Sequence, residues 1–246
     1  MARIELPRIM GHRGAAAEAP ENTLISIRRA AECGATWVEV DAMLTGDDVP
    51  VLFHDDALQR TTGAAGLMAE TAFEGARKLD AGRWFGPAFE GEPLPSLEET
   101  VALVCALGIG LNLEIKPSQG RARVTAERVM DTLNAVWPAA GPPLLISSFE
   151  VDCLEVAQAA RSDWPRGLIT LRPADFQPAL MTRLDCVSYH CYHKRLSPKT
   201  AATVKAAGYA LACFTVNDAA EAERLFAMGV DCVITDDPRG LSQALG

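Results

Sequence analysis

Residues 37–55 read WVEVDAMLTGDDVPVLFHD, and the rest of the chain is organised around this stretch. Glu39 and Asp41 lie two apart in a β-type run, so their side chains leave the same face of a strand. Val38 and Val40 take the opposite face, which suits packing beneath a helix. Thr45-Gly46-Asp47-Asp48 has turn chemistry, and the apolar run Val51-Leu52-Phe53 beyond it delivers His54 and Asp55. Taken alone, the acidic face is as well explained by a solvated strand edge as by half of an assembled site.

Working outward from this hairpin, short β-branched runs alternate with helical patterns. Ile9-Met10 leads into Gly11-His12-Arg13-Gly14, and a helix is expected from Leu24 to Cys33, capped by Asn22 or Thr23. After the hairpin the rhythm lapses. Residues 57–95 carry six glycines and three prolines together with Trp84-Phe85, which predicts a compact insertion. Ser96-Leu97-Glu98-Glu99 has the form of a capping box and starts a helix to Leu107. Strands are then expected around Leu111–Lys116, Leu144–Ser147, Gly167–Ile169, Cys186–Tyr189, Ala210–Val216 and Cys232–Thr235, each followed by a helix. Eight βα units in 246 residues predict a (β/α)8 TIM barrel, one domain over 1–246, with an insertion subdomain at about 57–95 after the second strand. The rival, an open doubly wound sheet, lacks a G-x-G-x-x-G after its first strand.

Composition narrows the function. The net charge of −9 gives no basic footprint for nucleic acid or an anionic membrane, and no apolar run is long enough to span a bilayer. MARIELPRIMGHRG shows no apolar leader core. The seven cysteines are odd in number and scattered without a C-x-x-C pair, so reduced thiols and a cytoplasmic location are expected.

In such a barrel the site lies at the C-terminal ends of the strands. Three ends are polar here: His12-Arg13 on the first, Glu39 and Asp41 on the second, and Glu114 and Lys116 on the Leu111 strand. Alternation places Asn112, Glu114 and Lys116 on one face, so Glu39, Asp41 and Glu114 are expected to meet. Three carboxylates in a partly dry cavity repel one another, and burial costs several kcal/mol per charge, a conflict that a divalent cation removes. All-oxygen ligation favours Mg2+ or Ca2+. His12 and His54 beside the cluster are candidate general acid and base. Arg13 and Lys116 suit a phosphate, with pairing to Asp55 or the glutamates as the alternative. Cys186, His190, Cys191 and His193 match no zinc-module spacing. Asp236-Asp237-Pro238 reads as a helix cap, and Trp84 and Phe85 as insertion core or as a cover over the substrate.

These residues also carry a family likeness. His12-Arg13-Gly14, Pro20-Glu21-Asn22-Thr23, Glu39-Val40-Asp41, His54-Asp55, Leu113-Glu114-Ile115-Lys116, Ser148-Phe149, Phe214-Thr215-Val216-Asn217 and Thr235-Asp236-Asp237-Pro238 run in order over nearly the whole chain. In this the sequence resembles the glycerophosphodiester phosphodiesterases, relatives of the phosphatidylinositol phospholipase C barrels. The resemblance implies one divalent cation on Glu39, Asp41 and Glu114, a catalytic pair in His12 and His54, and phosphate contacts from Arg13 and Lys116. It implies hydrolysis of small glycerophosphodiesters such as glycerophosphocholine or glycerophosphoethanolamine to sn-glycerol 3-phosphate and an alcohol. It also implies that the insertion covers the substrate. Phe214 departs from the family's usual Trp, which bears on the shape of the pocket wall. Two other expectations stay open: a lysophospholipase D-like enzyme on lipid substrates, and a non-catalytic phosphate-binding barrel.

Overall fold

The computed structural model describes residues 4–246. Its nine strands are β1 (Ile9–His12), β2 (Trp37–Leu44), β3 (Pro50–Leu52), β4 (Gly110–Ile115), β5 (Leu144–Ser148), β6 (Arg166–Thr170), β7 (Cys186–Tyr192), β8 (Ala210–Phe214) and β9 (Cys232–Thr235). Eight of them pair in parallel around a closed circuit, because β1 bonds to both β2 and β9. β3 is the antiparallel return arm of the β2 hairpin. The architecture is the expected (β/α)8 barrel.

Parity along the strands sorts their side chains. Val38 and Val40 of β2 and Leu111, Leu113 and Ile115 of β4 face outward into a core shared with the helices Leu24–Glu32, Leu97–Leu107 and Ala122–Val136. The opposite parity fills the barrel. Its floor is Met10, Trp37, Leu145, Ala212, Cys232 and Ile234. The indole of Trp37 has room only because β4 begins with Gly110, where a Cβ would come within 2.3 Å of the ring. Above this floor the interior turns polar, with Asn112, Ser147, Ser188 and His190 all buried.

His190 on β7 shows what that interior does to an ionisable group. Its Nε2 lies 2.9 Å from Ser188 Oγ, and burial pushes its pKa from an ordinary 6.5 down to about 4. Between those values the unfolded chain binds a proton that the folded barrel refuses. The stability from neutral His190 is therefore complete above pH 6.5 and is lost as pH falls through 4, approaching about 3 kcal/mol at the acid end. Melting curves between pH 7 and 4 should show the native protein losing more stability than His190→Gln; parallel curves would contradict this.

Residues 57–95 contain two short helices, Gln59–Thr62 and Phe73–Ala76, and two 3-10 turns. They build a small core of Leu58, Met68, Ala76, Ala81 and Leu94 against Met43, Val51 and Phe53 of the hairpin. Trp84 and Phe85 are not part of it. Trp84 is 41% exposed, and the two rings meet edge to face at 5.6 Å, with Phe89 against Phe85 at 5.2 Å. The aliphatic side chains had already filled the space beneath the hairpin, so the aromatics pack on one another at the surface. No helix among the described residues is long and apolar enough to cross a membrane.

Candidate active site

Register builds the site. Pairing of β2 with β4 sets Asp41 beside Glu114 and Glu39 beside Asn112, and pairing of β1 with β2 sets His12 beside Glu39. One oxygen from each of Glu39, Asp41 and Glu114 therefore falls within 4.8 Å of the others, and all three residues are buried. Among the described residues this is the group of acidic, histidine or cysteine side chains that converges at ligand distance. Cys186, His190, Cys191 and His193 do not: His193 Nδ1 bonds Glu221 Oε1 at 2.7 Å, and Cys191 lies against Cys213. All seven cysteines are free thiols.

The electrostatics of the triad are those of an ion site. Burial, with the charges of Asp41 and Glu114, drives the Glu39 carboxyl well above its ordinary range. Burial and Asp41 push Glu114 up to about 8, against the opposing pull of Lys116 and Arg13. Burial would raise Asp41 as well, but Arg13, Lys116, His54 and a hydrogen bond from Asn22 outweigh it and hold that group ionised. Glu114 Oε1 is buried without a hydrogen-bond partner. An all-oxygen, strongly anionic donor set with an unpartnered oxygen fits a hard divalent cation.

The histidines flank this cluster, each oriented by a carboxylate. His12 Nδ1 lies 2.6 Å from Asp236 Oδ1, and its Nε2 lies 3.9 Å from Glu39 Oε2. His54 Nδ1 lies 2.6 Å from Asp55 Oδ1. An ionised carboxylate at Nδ1 accepts the proton there, so each ring presents Nε2 to the site. Burial lowers the pKa of His54 despite the attraction of Asp41. Asp236 is held below its ordinary value, since the His12 contact and the amide of Asn217 outweigh its burial.

Arg13, in the left-handed region with φ 51°, donates its backbone N–H to Glu39 Oε2 at 3.1 Å. Its guanidinium bonds Glu21 at 2.6 Å and lies 3.2 Å from Asp41. Lys116 Nζ stands 3.7 Å from Glu114 and 3.8 Å from Asp41, too far for a hydrogen bond and free to reach a ligand. His12, Arg13, Asp41, His54, Glu114 and Lys116 all line one cavity of about 730 Å³ at the barrel mouth, with Glu39 just below it. The far wall is Phe149, Leu171, Tyr192 and Phe214, where Phe214 meets Phe149 edge to face at 6.0 Å.

Further residues hold the site together, in roles that the sequence left open or did not show. Thr23, not Asn22, caps the first helix, accepting from the Ser26 N–H. Asn22 at φ 56° instead clamps Asp41, donating from Nδ2 to Oδ2 at 2.8 Å and accepting from the Asp41 N–H at 3.1 Å. Asp237 is the helix cap, accepting from Gly240, which frees Asp236 for His12. No residue of 57–95 lines the cavity. The insertion reaches the site through Arg60, which binds Asp55 and Glu21 together at 2.6–2.9 Å. Asp55, held well below its ordinary range by Arg60, thereby stays ionised behind His54.

Comparisons with known proteins place the chain in a family. A family model described as the glycerophosphoryl diester phosphodiesterase family matches residues 12–239. A glycerophosphodiester phosphodiesterase of Caldanaerobacter subterraneus subsp. tengcongensis is 30% identical over 233 residues, covering 95% of each protein. A phosphodiesterase of Oleispira antarctica, whose structure was determined with its product sn-glycerol-3-phosphate, superposes with a TM-score of 0.94. It is 38% identical over 98% of this chain and 97% of that one. The matched span runs from His12 past Asp236 and so takes in the triad and both histidine–carboxylate pairs. The chain belongs to the glycerophosphoryl diester phosphodiesterase family and is a phosphoric diester hydrolase.

Proposed function

We propose that this enzyme hydrolyses small, deacylated glycerophosphodiesters, such as glycerophosphocholine or glycerophosphoethanolamine, to sn-glycerol 3-phosphate and an alcohol. The observation that carries the reading is the buried triad with a carboxylate-oriented imidazole beside it and a second at the same mouth. Glu39, Asp41 and Glu114 would hold one Mg2+ or Ca2+. When bound, such an ion polarises a phosphoryl oxygen and lowers the pKa of a hydroxyl that it touches. Arg13 and Lys116 bind the anionic phosphate. One imidazole takes the proton of the nucleophile (the neighbouring glycerol hydroxyl, with water then opening the resulting cyclic phosphate, or water directly) and the other protonates the departing alkoxide, each through Nε2. Residues 57–95 serve as a subdomain of a single domain, locking His54 through Arg60. The free thiols and acidic surface suit the cytoplasm.

Asp236 is in this scheme a positioning residue for His12. Asp236→Asn should lower kcat by about 10²-fold or more and displace one limb of the pH–rate profile, with KM little changed, because the amide no longer secures the Nδ1–H tautomer. A variant with a native pH profile would take Asp236 out of the scheme.

A second reading, a lysophospholipase D-like activity, has one observation in its favour. Phe149 and Leu171, two of the exposed large apolar side chains, lie at the cavity mouth, where an acyl chain could rest. A panel of glycerophosphocholine, glycerophosphoethanolamine and a lysophospholipid, with release of the head-group alcohol (choline or ethanolamine) measured, decides between them. A higher kcat/KM on the lysophospholipid would overturn the first reading, and no turnover of any diester with Mg2+, Ca2+ or Mn2+ would overturn both.

A further inference from the structure

Below the carboxylates the barrel contains a second, much smaller space of about 30 Å³, lined by Glu39, Asn112, Glu114, His190 and the apolar Ile169 and Ile234, with His12 and Phe214 shared between it and the main cavity. Asn112 precedes Glu114 by one inward-facing position on β4 and pairs in register with Glu39, so this chamber is the layer beneath the triad. Asn112 is fully buried, yet neither its Nδ2 nor its Oδ1 has a hydrogen-bond partner. His190, 1% exposed, has its Nδ1 unpartnered while Nε2 is fixed on Ser188. The ring occupies this place because β6 contributes Gly167, where a Cβ would come within 2.9 Å of His190 Nε2 and 2.6 Å of Ser188 Oγ. Buried amides are almost always paired, and two neutral side chains left open toward one cavity mark a ligand of matching chemistry.

We propose that the chamber is a binding site for one ordered water, held by Asn112 and His190, which braces the Glu39 and Glu114 carboxylates from below. The space suits a single water, which needs two to four polar partners. Asn112 offers it a donor and an acceptor, His190 Nδ1 a third contact and a carboxylate oxygen a fourth. A metal ion does not match this set, because it leaves the Asn112 N–H group unpaired. Asn112 and His190 are then positioning residues: they touch neither substrate nor cation and hold the acids at their spacing through the water. That last link rests on the triad being a metal site.

A high-resolution crystal structure of the metal-free protein tests the water site without any variant. Density at hydrogen-bond distance from Asn112 and His190 Nδ1 is expected, and a dry chamber would overturn the proposal. The same crystals soaked in Mn2+ should show the anomalous peak at the triad; a peak in the chamber would make Asn112 and His190 direct ligands and refute the water. Calorimetric titration with Mn2+ tests the link. Asn112→Leu, similar in size but apolar, should bind Mn2+ about 10–100-fold more weakly, while Asn112→Ser, which leaves room and a polar group for the water, should restore most of the affinity. Native affinity in a folded Asn112→Leu protein would break the link. Failure of the native protein itself to bind Mn2+ would instead refute the metal reading, with the crystallographic result still deciding the water.

Discussion

Replacing His12 or His54 with alanine will lower kcat on a glycerophosphodiester by about 10²–10⁴-fold, the usual contribution of a positioned acid or base. The double variant will lose less than the product of the two single losses, since groups that act in one transition state are not additive. The expectation follows from the way both rings are mounted. Asp236 fixes His12, and Asp55, itself pinned by Arg60, fixes His54, so each Nε2 is aimed without a rotamer search. Neither side chain belongs to an apolar core, and both are partly open to the cavity, so melting temperatures should stay near native. Steady-state kinetics beside a thermal melt check this. Either single variant keeping most of its activity would remove that residue from the chemistry.

Chelation should have an effect at least as large. With EDTA, turnover is expected to fall by about 10³-fold or more, because several kcal/mol of transition-state stabilisation go with the cation. Add-back of Mg2+, Ca2+ and Mn2+ one at a time identifies the ion that restores it. Asp41→Asn should not be rescued by any of them at ordinary concentrations, since Asp41 is the acid that its surroundings keep ionised. Without an ion the three buried acids oppose one another, and Glu39 and Glu114 are driven toward their protonated forms. A cation at about 100 times its Kd should therefore also stabilise the fold by about 2.7 kcal/mol, roughly 5–10 °C in Tm for a chain of this size. Full activity in EDTA with an unchanged Tm would contradict the metal reading.

How much of this could be read without coordinates depends on the range over which each contact forms. Alternation in WVEVDAML and LNLEIK is local, and it alone dictates that Glu39 and Asp41 share a face, that Glu114 shares one with Lys116, and that the valines and leucines turn outward to the helices. The βα rhythm gives the barrel for the same reason, since each unit declares its own apolar face. The Ser96–Glu99 capping box was equally legible, both partners being three residues apart.

What only the tertiary structure decided are contacts whose partners meet through closure of the barrel. Asp236 reaches His12 across 224 residues because β9 closes onto β1, and nothing in Thr235-Asp236-Asp237-Pro238 says which aspartate caps the helix and which turns inward. Asn22 could be a cap or a clamp by its chemistry alone, and it became a clamp once β2 set Asp41 beside it. Arg60 joins Asp55 to Glu21 over 39 residues, and the Trp84–Phe85 pair stayed outside because aliphatic side chains had filled the insertion core. Periodicity specifies the face on which a side chain lies. Register and closure specify what it meets there, and polar pairing, short in range and strict in direction, is settled only at that stage.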